Sequence, residues 1–98
     1  MQIRHLSEKR KKEISSLAKK KGRKMHQQVL IEGLRSVDAA IAAGAPVREV
    51  LLTDRHVAND TILAQLHKLD VDVYQVPEKT IKQISTVETD QGILAIDQ

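Results

Sequence analysis

Four short β-prone runs alternate along this chain with segments whose apolar residues recur at helical spacing, and that alternation constrains the fold more than any other feature. The runs are Val29-Leu30-Ile31, which reads as a buried strand, Val47 to Leu52 with its densest part at Val50-Leu51-Leu52, Val71 to Val76, and Ile93 to Ile96. Between the first two, Leu34, Val37, Ala40 and Ile41 form a helical stripe, stopped by Gly44 and Pro46. Between the next two, Ile62, Leu63, Leu66 and Leu69 form another. Asn59 or Asp60 caps it, and His67 and Lys68 sit in its last turn, where cations suit the helix dipole. Pro77 ends the third run and opens a short helix with Ile81 and Ile84 facing inward. Residues 53–58 and 85–90 read as loops. Strands in turn with helices predict an α/β fold with a mostly parallel sheet covered on both faces.

Ninety-eight residues are enough for one core and not two. With one Tyr and neither Phe nor Trp, that core is built from Ile, Leu, Val and Ala. Tyr74 is the only aromatic side chain on which a base could stack, which argues against the single-strand readers that rely on aromatic platforms. The chain has no cysteine, so disulfides and thiolate metal sites are excluded. No signal peptide and no segment apolar enough to span a bilayer is visible, and the expected location is cytoplasmic, away from membranes.

Charge is distributed unevenly. Residues 1–24 hold ten Lys/Arg against two acids, whereas residues 25–98 hold six against eleven, for a net +3. A basic arm on a mildly acidic body points to a polyanionic partner. The arm reads as one helix capped by Ser7 and stopped by Gly22, with a narrow apolar stripe of Leu6, Ile14, Leu17 and Ala18. Lys9, Lys12, Ser16, Lys20 and Arg23 form a second stripe. So few apolar anchors predict weak docking and a mobile or partly detached helix. The expected organisation is therefore a basic arm over 1–24 and an α/β domain over 25–98.

The most informative local stretch is the strand-to-helix junction from Val29 to Val37. Gly33 allows a sharp turn and close approach, and the following helix start presents backbone N–H groups with Arg35 and Ser36 in the first turn. Two readings stand open: an anion site, or a plain βα turn in which Glu32 bonds local amides. The chain lacks both the G-x-G-x-x-G fingerprint and a P-loop. The histidines at 5, 26, 56 and 67 have no metal-ligand spacing, and Ser15, Ser16, Ser36 and Ser85 lie in no nucleophile elbow. Asp70 and Asp72 fit a solvated strand edge. No catalytic constellation emerges.

Taken together, Lys20-Lys21-Gly22-Arg23, Leu30-Ile31-Glu32-Gly33, Val37 with Ala40 and Gly44, Val50-Leu51-Leu52, Ser85-Thr86 and Gln91-Gly92-Ile93-Leu94-Ala95 resemble the N-terminal substrate-binding domain of SpoU-type RNA 2′-O-ribose methyltransferases, members of the SPOUT superfamily. The resemblance runs from about residue 19 to 96. Family members often carry an aromatic residue where this chain has Val29 and another where it has Gly22. The resemblance implies a three-layer α/β/α fold with a small, mostly parallel or mixed four-stranded sheet, similar to ribosomal proteins that bind kinked RNA. It implies structured RNA, rRNA or tRNA, as partner. It also implies a knotted catalytic domain downstream that holds S-adenosylmethionine, so this chain alone is expected to be inactive and to bind no cofactor. A monomeric fragment and a parent that dimerises through the catalytic domain are implied as well. The RNA contacts carried over are Gly33, Arg35 and Ser36 with Leu34, and Thr86 and Thr89 in the loop from Ser85 to Thr89. The basic residues Lys9, Lys12, Lys20, Lys21, Arg23 and Lys24 complete the expected RNA-binding set.

Two other classes fit the same pattern. A free-standing ribosome-associated RNA-binding protein of this fold would differ in the length of its reading frame. A small nucleotide-binding α/β protein or enzyme would carry a pocket at the strand ends. A protein-interaction module would need a large exposed apolar patch, and the apolar residues here are claimed by the core.

Overall fold

The computed structural model describes residues 3–98, leaving aside the side chains of Ile3 and Asp60. The elements follow the order β1 (Ile3–Arg4), α1 (Glu8–Ser16), α2 (Lys20–His26), β2 (Val29–Glu32), α3 (Leu34–Ala42), β3 (Val47–Leu52), α4 (Asp54–Val57), α5 (Asp60–His67), β4 (Asp72–Gln75), α6 (Glu78–Ile84) and β5 (Ile93–Asp97). The four strands expected from the sequence form one mixed sheet, and the two-residue β1 adds an edge, giving the order β1-β4-β3-β5-β2. β1, β4 and β3 run parallel, while β5 lies antiparallel between β3 and β2.

The pleat divides the core cleanly. Val50, Leu52, Val73, Ile93 and Ala95 point to one face, under Val37 of α3 and Ile62 and Leu66 of α5. Leu51, Leu94 and Ile96 point to the other, under Ile14 and Leu17 at α1 and Ile81 and Ile84 of α6. Successive residues alternate because side chains in a strand have a period of two. Both faces are covered, so the domain has three layers. A one-turn α4 occupies part of the expected 53–58 loop because Thr53, at its N-cap, accepts a hydrogen bond from the Arg55 amide. Asn59 caps α5 through its side chain, which accepts from the Ile62 amide.

The N-terminal segment departs from the sequence reading. It is two helices rather than one, and it is firmly docked. Ile14 is 0% and Leu17 1% exposed, both deep in the second core cluster. Gly22 does not stop a helix; it lies inside α2. A Cβ placed there would sit 2.0 Å from the Ser16 carbonyl oxygen, so glycine is what lets α2 press against the end of α1. The arm looked weakly anchored because two apolar residues make a thin stripe, yet both are completely sealed.

Candidate functional site

Because β5 is antiparallel to its neighbours, its start meets the ends of β2 and β3: Leu94 pairs with Glu32, and Ile93 with Leu52. The 85–92 loop thus converges on the start of α3. Gly33 sits at φ 91°, ψ 151°, a region open essentially to glycine alone, and turns the chain from strand to helix. Its amide donates to the Ile93 carbonyl at 3.1 Å. The Leu34 amide donates to Gln91 Oε1 at 2.9 Å, so Gln91 caps α3 from across the sheet.

Glu32 bonds distant groups rather than local amides. Its carboxylate accepts from the Thr86 amide at 3.1 Å and from the hydroxyls of Ser85 and Thr86. On the other flank, Asp90 accepts from the Gly92 amide and from Arg55, each at 2.9 Å, and Arg55 also donates to Glu78. The hydrogen bonds to Glu78 and then Asp90 raise the Arg55 pKa above its ordinary value, against some desolvation. His56 Nε2 lies 2.7 Å from the Gln91 carbonyl oxygen. Loop 85–92 is therefore fixed at both ends and presents exposed Thr86, Val87 and Thr89 at its crest.

The second region is the α1–α2 layer, over the opposite face of the sheet from α3. Arg10 anchors it. Its Nε stands 3.1 Å from both carboxylate oxygens of Glu49, and its other nitrogens reach Glu13 and Gln28 at 3.0 Å. The bond to Glu49, foremost, raises the Arg10 pKa, with desolvation opposing. Arg23 donates to the Leu17 carbonyl at 3.1 Å and closes the end of α1. The lysines behave differently. Lys9 and Lys12 on α1, Lys19 at the junction, and Lys20, Lys21 and Lys24 on α2 are exposed, with no hydrogen bond or ion pair among the described residues. Lys12, Ser16, Lys19, Lys21, Gly22 and Met25 line an open groove of about 460 Å³ between the helices.

The structure thus sorts the expected contact residues into two groups. Gly33, Arg35 and Ser36 come together with the loop of Thr86 and Thr89 at one end of the sheet; Arg35 and Ser36 are exposed. The Thr86 hydroxyl is already engaged by Glu32, and Thr89 borders a groove with Arg55, Glu78, Lys82, Glu88 and Asp90. Lys9, Lys12, Lys20, Lys21, Arg23 and Lys24 form a separate group on the other face. Sequence reasoning missed Gln91, Arg55 and His56 as the groups that fix the loop. Their partners lie 57, 35 and 35 residues away, and no local signal marks such pairs. Among the described residues no group of three or more His, Asp or Glu could hold a metal ion. No described helix is long and apolar enough to cross a membrane.

The fold is shared with solved methyltransferase structures. An AdoMet-bound rRNA methyltransferase from Sinorhizobium meliloti superposes with a TM-score of 0.79 at 23% identity, covering 100% of this chain and 37% of its own. A TrmH-family protein from Porphyromonas gingivalis, described as an RNA methyltransferase, gives 0.72 at 26%, covering 97% and 36%. The SpoU methyltransferase AviRb from Streptomyces viridochromogenes, solved with AdoMet, gives 0.77 at 16%, covering 94% and 36%. The chain spans little more than a third of each. Curated proteins gave no match. Residues 8–95 match the MRM3-like substrate-binding domain, and the chain belongs to that family.

Proposed function

We propose that this chain is the RNA-recognition part of an RNA 2′-O-ribose methyltransferase, which positions folded rRNA or tRNA for a catalytic domain in the remainder of a longer parent protein. The family match over residues 8–95 carries this reading. The unpaired cations of the α1–α2 layer support it, since lysines facing solvent meet phosphates without first breaking internal pairs. Docking at the start of α3 places Arg35 against the backbone, beside the fixed 85–92 loop. Such contacts give affinity and orientation and little base specificity, and the domain's contribution to the reaction is to hold a ribose in place.

The methyl donor S-adenosylmethionine belongs, in this reading, to the remainder of the parent. A nucleoside would approach an α/β sheet of this kind at the strand ends; there the Glu32–Leu34 turn is filled by the side chains of Ser85, Thr86 and Gln91, and the open depression at the ends of β3 and β4 is lined by the carboxylates of Asp54 and Glu78, which oppose a phosphate. In the same reading the chain by itself is inactive and monomeric, the parent dimerises through its catalytic part, and the cysteine-free sequence suits the cytoplasm.

Arg35→Ala tests the docking site. It should weaken binding to folded RNA by about 1.5–3 kcal/mol, the range for a hydrogen bond to a charged group, while the thermal melt stays in place because Arg35 is exposed and unpaired. A melt that drops as far as for a core substitution would make Arg35 structural instead.

A further inference from the structure

The α1–α2 layer carries seven lysines, at 9, 11, 12, 19, 20, 21 and 24, and two arginines, Arg10 and Arg23. Both arginines are spent within the fold, on Glu49, Glu13, Gln28 and the Leu17 carbonyl. None of the lysines is. Of the layer's two acids, Glu13 is already paired with Arg10.

The first turn of α2 opposes the helix, although Arg23, Lys24 and His26 suit its last turn. Lys20 and Lys21 stand in its first turn, where the dipole disfavours cations, and no acid offsets them. Lys20 faces Lys24 one turn on, a repulsive pair. Breaches of local rules concentrated in one element mark a function that the fold alone does not require. The backbone that carries these lysines is held in place. Ile14 and Leu17 seal α1 in the core, and the Gly22–Ser16 contact fixes α2 to it. Lys12, Lys19 and Lys21 thereby share one largely apolar groove with Met25, 67% exposed, and with His26 and Glu13, whose carboxylate is already paired with Arg10.

We propose that the α1–α2 layer is a rigid docking face for the phosphate backbone of folded RNA, separate from the α3 start, and that the positions of its lysines matter as well as their number. This deepens the RNA-binding reading and rests on it. The lysines act as point charges against phosphates, and the aliphatic groove takes the ribose edge between them. Because α3 lies over the opposite face of the sheet, a single straight duplex cannot lie along both surfaces. The target presents two segments, or one bent segment, to the domain.

The test relocates charge without changing it. The 98-residue chain is titrated with bulk transfer RNA over a range of salt, as the parent sequence, as Lys20→Gln with Lys21→Gln, and as that pair combined with Ala42→Lys and Ala43→Lys. Ala42 and Ala43 are exposed at the end of α3, on the opposite face, so the last variant keeps the net charge. The pair should flatten the slope of log affinity against log salt by about 0.9 for each lysine that met a phosphate, and the relocated lysines should not restore it. Thermal melts of both variants should hold or rise, since a repulsive, dipole-opposed pair is removed. Restoration of slope and affinity by the relocated lysines, or a slope unchanged in the pair, overturns the proposal while leaving RNA binding intact. A parent chain that ignores transfer RNA at low salt but binds anionic phospholipid vesicles overturns the RNA reading itself.

Discussion

Tyr74 is the chain's only tyrosine and no tryptophan accompanies it, so one residue reports on the β4 environment without interference. Burial first, and the charge of Glu49 second, raise its pKa above the ordinary 10.0. A group whose folded pKa is raised stabilises the fold below the unfolded value and loses that contribution as pH climbs through the folded one. Stability should therefore hold up to about pH 10, where an unfolded tyrosine begins to ionise, and fall above it, and Tyr74→Phe should lessen the fall. Tyrosinate absorbance gives the titration midpoint directly; a midpoint no higher than that of free tyrosine would contradict the environment described.

At the level of elements, the helices over α3, α5 and α6 and the four main strands were legible because each carries a periodic apolar face or a dense β-branched run. Val37, Ile62, Leu66, Ile81 and Ile84, placed on apolar faces, are all buried, whereas Leu69, assigned to the same face as Leu66 but lying past the end of α5, is 40% exposed, and Val29, in a run expected to be buried, is 43% exposed at the start of the edge strand β2. Contacts that depend on distant partners were not legible. β1 is two residues long and exists only through its pairing with β4. The antiparallel insertion of β5 leaves no mark on its apolar run, which would read the same in either direction. Gly22 was read as a stop because glycine usually ends helices, whereas its role is to let backbone meet backbone. At the candidate site, Gly33 and its exposed neighbours could be picked out from a strand–Gly–helix pattern. Gln91 stood out only within the Gln91-Gly92-Ile93-Leu94-Ala95 resemblance and Arg55 not at all, and Glu32, given to local amides in one of the two open readings, serves Ser85 and Thr86 instead. Gly22→Ala separates the two views of α2. Helix propensity alone would stabilise the variant by about 1 kcal/mol, whereas overpacking against the Ser16 carbonyl costs about 1–3 kcal/mol. Since the blocking atom is backbone, we expect net destabilisation in chemical denaturation, and a gain in stability would show that α2 is loosely held.

At the scale of the whole molecule, a domain of 34 × 27 × 24 Å offers two dissimilar surfaces on opposite sides of one sheet. One is a cationic layer of unpaired lysines; the other is a helix start framed by a loop that Glu32, Arg55 and Gln91 hold in place. The charge division first visible in the sequence, basic before residue 25 and acidic after, sets the α1–α2 helices against the rest of the domain, with Arg10 and Glu49 joining them. Among the described residues neither surface presents Tyr, Phe or Trp as a stacking platform, and under the proposed function this domain favours folded RNA over single strands. The most direct test is to titrate the chain, at matched ionic strength, with folded transfer RNA and with an unstructured polyuridine of similar length. The account predicts tighter binding to the folded RNA, with log affinity falling linearly as log salt rises. Equal or tighter binding to polyuridine, or no binding to either at low salt, would contradict it.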